Sequence, residues 1–336
     1  MQPTLGRDFL DRFSLDRPVV QAGMAGGVAR GELAGAVSAA GALGTVGMMA
    51  PRAFAAALAD ARRRAPGRSV AANLLIPFIR RAHLHACFEA KAALVVLHGG
   101  LSLTLMGRLR ERGVAVFVTV GTREEALRAL SAGADGLVLQ GSDAGGHLLG
   151  VKPLEHSLAG VLDAASRVPV LAAGGVADAQ DVQRLLDAGA SAAVAGTRFL
   201  LTDESAAHPI YKRRLVAADQ TLATLLFGIG WPLRHRVIPN RATERWCANN
   251  ELGPRPVRAV GRLSAALGRA VPLDAMGALA GHQRPGIPLF TPALPVVGMP
   301  DQAADSTALY AGETVSRLHD IIPAAQAVAQ LTPADR

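Results

Sequence analysis

Residues 136–147, Gly-Leu-Val-Leu-Gln-Gly-Ser-Asp-Ala-Gly-Gly-His, pass from a short apolar run into a loop with the makings of chemistry. Gly145 and Gly146 let backbone approach a flat or anionic ligand at a distance a β-carbon would forbid. His147 beside them is the side-chain type whose ordinary pKa lies near neutrality, as a proton-transfer base requires. The same residues also fit a glycine-rich turn with a solvated histidine. Two further turns, Gly174-Gly175 and Gly196-Thr197, follow apolar runs and open helices. Backbone N–H groups there, aided by the positive end of a helix starting near Asp178, can hold a phosphate without a lysine; tight strand-to-helix turns would look the same.

These residues are positioned by a repeating pattern. Apolar runs at 18–23, 41–47, 70–75, 94–98, 114–120, 136–140, 169–173 and 192–195 read as eight strands, and helical stretches alternate with them. Pro51 opens one helix, and Thr122 with Glu125 forms a capping-box start to another. The fold class expected is α/β, a (β/α)8 TIM barrel over residues 1–202. A doubly wound sheet is disfavoured, because no GxGxxG with a following acidic residue stands at the first strand-to-helix turn. Residues 203–285 lose the strand rhythm and read as a mostly helical insertion, or lid domain, over the barrel mouth. Residues 286–336 read as a proline-rich irregular return and a last helical segment, 303–330, that closes the barrel.

In such barrels the site lies at the C-terminal ends of the strands, with phosphate held by the loops after strands seven and eight. The two glycine turns occupy those positions, and Met24, Asn73, His98, Gln140 and His147 fall at or just beyond other strand ends. A flavin needs such company: amides for its polar ring edge, apolar atoms for its ring face, a cradle for its phosphate. Asn73 and Gln140 suit the polar edge. Met24 fits ring contact and core packing equally, and His98 reads as a structural histidine. His83 and His85, two apart on a helix, face different ways and make a poor metal pair, so no metal is expected. HExxH, P-loop and GxSxG motifs do not occur.

Composition narrows the class. The net charge of +8 comes from scattered arginines, only Lys91, Lys152 and Lys212 being lysine, and 4% aromatic content leaves few stacking surfaces for nucleic acid. Cys87 and Cys247 form no ligand or disulfide spacing. No apolar run reaches the ~18 residues of a membrane span, and the N-terminal residues lack a signal-peptide core, so a cytoplasmic protein binding neither nucleic acid nor membrane is expected.

The chain resembles the nitronate monooxygenase family, formerly the 2-nitropropane dioxygenases, over nearly its whole length. The resemblance is carried by residues 21–27 (Gln-Ala-Gly-Met-Ala-Gly-Gly), 140–147, 169–176 (Pro-Val-Leu-Ala-Ala-Gly-Gly-Val), 196–199 (Gly-Thr-Arg-Phe) and 309–312 (Leu-Tyr-Ala-Gly). It implies an FMN-containing barrel in which Asn73, Gln140 and Gly145 contact FMN, Gly175 and the 194–197 turn hold its phosphate, and His147 is the base. The implied reaction oxidises an alkyl nitronate or nitroalkane with dioxygen to a carbonyl compound and nitrite. Departures are Gly23 where members commonly have proline, Asp143 where they have glutamate, and Leu148-Leu149-Gly150 after the histidine, which makes the region beside His147 more apolar. The same Gly-Gly-His occurs in NAD(P)H-dependent enoyl-acyl-carrier-protein reductases and, on the same barrel, some relatives are quinone reductases; a non-catalytic flavin-binding protein ranks last.

Overall fold

The computed structural model describes residues 3–268, 271 and 273–334. Its strands are β1 (Val19–Gln21), β2 (Gly44–Val46), β3 (Val70–Leu75), β4 (Leu94–His98), β5 (Ala115–Val120), β6 (Gly136–Gln140), β7 (Gly146–His147), β8 (Val170–Ala173), β9 (Ala192–Ala195), β10 (Leu222–Thr224) and β11 (His235–Val237). Eight of them form one parallel sheet in the order β1-β9-β8-β6-β5-β4-β3-β2. The seam between β1 and β2 is closed by a Val20–Leu43 bridge, with Gln21 N–H donating to Leu43 O at 2.9 Å and Leu43 N–H to Val19 O at 3.0 Å. The Gln21 side chain reinforces the seam by accepting from Thr45 N–H at 3.0 Å. This is the (β/α)8 barrel read from the sequence, and its β3 and β5 are buried along their whole length, as strands covered on both faces must be.

Apolar side chains fill the barrel in a layer that includes Val20, Leu43, Leu94, Phe117, Val138 and Leu171. A helix the sequence reading did not assign, Pro3–Arg12, plugs one end. Its Phe9 and the following Phe13 pack against Phe117 with ring centroids 6.0 and 6.2 Å away. Each fully buried phenylalanine contributes about 1.5–3 kcal/mol. A second apolar layer lies between the strands and the outer helices. The closing position in the helix ring, beside Gly31–Ala39 and Ala179–Asp187, is taken by Ala324–Leu331. Residues 303–323, expected to share that helix, instead form two 3-10 turns and connecting chain.

Residues 203–285, expected to be mostly helical and without strands, hold a strand pair as well. Helices Pro209–Val216, Arg241–Cys247, Arg255–Gly268 and Leu273–Ala280 are present, but so is an antiparallel β10–β11 pair. Three residues give one apolar–polar alternation, too little to show as a strand pattern. β11 pairs in turn with β7, placing His147 opposite His235 and Gly146 opposite Arg236. The segment after the barrel is thus hydrogen-bonded directly to the loop that carries His147. No helix among the described residues is long and apolar enough to cross a membrane.

Candidate active site

The C-terminal ends of the strands open into a cavity of about 980 Å³, lined among others by Met24, Asn73, His98, Gln140, Gly145, His147, Gly174, Gly175, Val194, Gly196 and Thr197. Residues up to 173 positions apart in sequence therefore meet, as strand ends in a barrel must. Of the residues assigned to the site from the sequence, Ala195 alone does not line the cavity: its side chain is buried in the outer apolar layer, and its carbonyl accepts from Ala22 N–H at 2.9 Å. Three buried polar atoms without a hydrogen-bond partner belong to lining residues: Thr45 Oγ1, Asn73 Oδ1 and His147 Nε2. Buried polar atoms are nearly always paired, so this wall is built for a polar ligand.

The loop that carries His147 is held by two neighbours. Gln140, the last residue of β6, donates from Nε2 to His147 O at 3.0 Å and accepts at Oε1 from Leu149 N–H at 2.9 Å. Its amide therefore shapes the loop first, whatever else it meets in the cavity. On the other side Arg236 of β11 donates to Ser142 O at 2.9 Å and pairs with Glu313 at 2.8 Å, tying the loop to the C-terminal segment. The imidazole stacks on Trp231, ring centroids 3.9 Å apart at 21°, and the rings of His235 and Tyr310 each lie 5.4 Å away.

Electrostatics keep this cluster uncharged. Burial, and then the proximity of His235 and His98, hold His147 well below its ordinary pKa of 6.5. Burial lowers His98 to about 4 and, partly offset by Leu233 O, His235 to about 4. His235 has Nδ1 at 2.9 Å from Leu233 O and accepts at Nε2 from Phe227 N–H, which fixes a neutral, Nδ1-protonated ring. His147 is a neutral imidazole with a lone pair to give. Burial pushes the Tyr310 phenol up, and its hydroxyl donates to Pro292 O at 2.7 Å.

The glycine turns are compelled by their surroundings. Gly174 has φ +134° and Gly175 φ +67°, and a β-carbon on either would lie within 2.9 Å of the Asp143 carboxylate. Asp143 accepts from Leu154 N–H at 3.0 Å, so the first turn of helix Leu154–Ala164 offsets its charge. The helix after Gly175 does not lend its N-terminus as expected: Asp178 caps the N–H groups of Gln180 and Asp181 at 2.9 and 3.0 Å, and Asp181 takes Ala177 N–H at 2.8 Å. Thr197 Oγ1 accepts from Gly312 N–H at 2.9 Å, which brings the C-terminal segment over the second turn. Gly23 has its own reason: a β-carbon there would stand 2.2 Å from Asn73 Cβ. Leu148, buried beside His147, and Leu149 do not line the cavity.

Trp231, Tyr310 and Thr45 were not assigned to the site from sequence. Trp231, one of two tryptophans in a chain with little aromatic content, and Tyr310, inside a quoted motif, carried a usable signal. Thr45 carried none.

Comparison with known proteins agrees with this geometry. The sequence profile described as nitronate monooxygenase matches residues 65–334. The nitronate monooxygenase of Paraburkholderia phytofirmans is 30% identical over 268 residues, covering 65% of this chain and 73% of that one. The solved nitroalkane oxidase from Streptomyces ansochromogenes is 28% identical with a TM-score of 0.75 over 96% of each chain. FabK from Thermotoga maritima, 23% identical with a TM-score of 0.74 over 96% of this chain and 94% of that one, shares the fold. With the barrel, the strand-end cavity and the family profile in agreement, this chain is an oxidoreductase that belongs to the nitronate monooxygenase family.

Proposed function

We propose that the protein is FMN-dependent and oxidises alkyl nitronates, or the parent nitroalkanes, with dioxygen to a carbonyl compound and nitrite, His147 acting as the base. The observation that carries the cofactor assignment is the set of unpartnered polar atoms on the cavity wall, Asn73 Oδ1 and Thr45 Oγ1, matched to the donor and acceptor edge of a flavin ring. Gly174, Gly175, Gly196 and Thr197 would hold the phosphate through backbone N–H groups, with Met24, Gly145 and Val194 as close neighbours on the same wall. The volume, near the top of the ~300–1,000 Å³ range of ligand pockets, leaves room for a substrate beside the cofactor.

Bound FMN supplies the redox chemistry, exchanging electrons with the nitronate and with dioxygen. The chain handles the proton. A neutral nitroalkane must lose its α-proton first, and His147, uncharged because it is buried, accepts it. The nitronate formed beside the ring is an anion, and that charge raises the proton affinity of the imidazole as transfer proceeds. A preformed nitronate needs no base. His147→Ala is therefore expected to lower kcat/KM for a neutral nitroalkane by ~10²–10⁴ while changing the preformed nitronate little; equal losses on both would remove the assigned role.

A further inference from the structure

We infer that Trp231 is the positioning residue of the base: by stacking on His147 it fixes the orientation of the imidazole and seals one face of it from water. This rests on the reading of His147 as base. The anchors of His147 described above, Gln140 and β11, end at its backbone, and Nε2 has no hydrogen-bond partner. What orients the ring is contact. Trp231 is near parallel at 3.9 Å, whereas His235 and Tyr310 are tilted by 56° and 48° at 5.4 Å.

Trp231 is itself immobilised. It is 8% exposed and meets Phe78 and His98 edge-on, with ring centroids 5.5 and 5.9 Å away. Its main-chain N–H donates to Gly228 O at 3.2 Å, and its main-chain carbonyl accepts from Leu233 N–H at 2.9 Å. Glycine at 99 makes room, since a β-carbon there would stand 3.1 Å from Trp231 Cζ2. Trp231 lies four residues before β11, so one segment grips both ends of His147, its backbone through the β7 pairing and its ring through the stack. The titratable groups facing the imidazole are His98 from β4, His235 from β11 and Tyr310 from the C-terminal segment. Burial keeps each of them neutral, so water exclusion is the chief control on the charge of His147.

The test compares FMN-loaded wild type, Trp231→Phe, Trp231→Leu and Trp231→Ala with a neutral nitroalkane and with its preformed nitronate, alongside NMR titration of the His147 ring in each protein. Loss of the stack in the Leu and Ala variants should lower kcat for the nitroalkane ~10–100-fold and leave KM and the nitronate reaction within ~3-fold. Trp231→Phe, which keeps a flat face, should recover most of the loss. The His147 titration midpoint should rise toward the ordinary histidine value in the Leu and Ala variants and stay low in Phe. An unmoved midpoint overturns the inference whatever the substrate, and so does an equal loss on both substrates. Failure of the base assignment is read separately, from His147→Ala in the Trp231 background.

Discussion

Gln140 holds His147 by the main chain, its amide donating to the His147 carbonyl at 3.0 Å while accepting from Leu149 N–H at 2.9 Å. The last residue of β6 thereby sets the path of the loop that carries the base. Gln140→Leu, similar in size, would strand one acceptor and one donor, each costing about 1–3 kcal/mol when left unpaired in the interior. Chemical denaturation of the FMN-bound variant should show a loss of that order, with a larger fall in nitroalkane than in nitronate turnover. Gln140→Glu, which keeps the acceptor, should fall between; an unchanged denaturation midpoint for the Leu variant contradicts the role.

Acid should destabilise the fold through two histidines held uncharged in its interior, the half-buried His98 and the buried His235. His98 and His235 titrate near 6.5 in the unfolded chain and at about 4 in the folded protein, so the unfolded state binds the proton first as pH falls. Their contribution is complete above about pH 6.5 and is lost as pH drops toward 4, on the order of 3 kcal/mol for each. Thermal unfolding across that window should show the decline, and His98→Phe should make it shallower without abolishing it, because His235 still titrates there. A stability curve flat from neutrality to about pH 4 would show that neither ring is buried uncharged.

The glycine turn after β8 should govern cofactor retention. Gly174→Ala forces a side chain into φ +134° and against the Asp143 carboxylate, 2.8 Å from the new β-carbon. The Kd for FMN, read from flavin fluorescence, should rise at least ~10-fold, the equivalent of about 1.4 kcal/mol. Gly107→Ala, on helix Leu103–Arg110 with open space around it, is the control and should leave FMN binding unchanged.

The barrel was legible because its eight strands are buried on both faces and all of them but β3 run into a glycine within two residues of their end. The strand ends could be placed for the same reason, so Asn73, Gln140 and His147 were found together. What escaped depends on partners distant in sequence. β10 and β11 are too short to announce themselves, and β7 exists only because β11 pairs with it. Trp231 reads as one aromatic beside Pro232 until the hairpin carries it onto His147. Ala195 was placed in the site with its neighbours, yet strand alternation turns it outward while Val194 faces the cavity. The Asp178 cap shows the opposite error: a helix N-terminus was legible, but not that its own carboxylates occupy it.

The central claim is that electrons enter the cofactor from a nitronate, with no nicotinamide needed. The direct measurement is the visible absorbance of the FMN-loaded protein under anaerobic conditions, mixed in parallel with a small alkyl nitronate and with NADH or NADPH. The account predicts rapid bleaching of the flavin bands by the nitronate alone, reversed on admitting air with release of nitrite. Bleaching by a nicotinamide alone, with none by the nitronate, would contradict it and make the protein a flavin reductase on the same barrel.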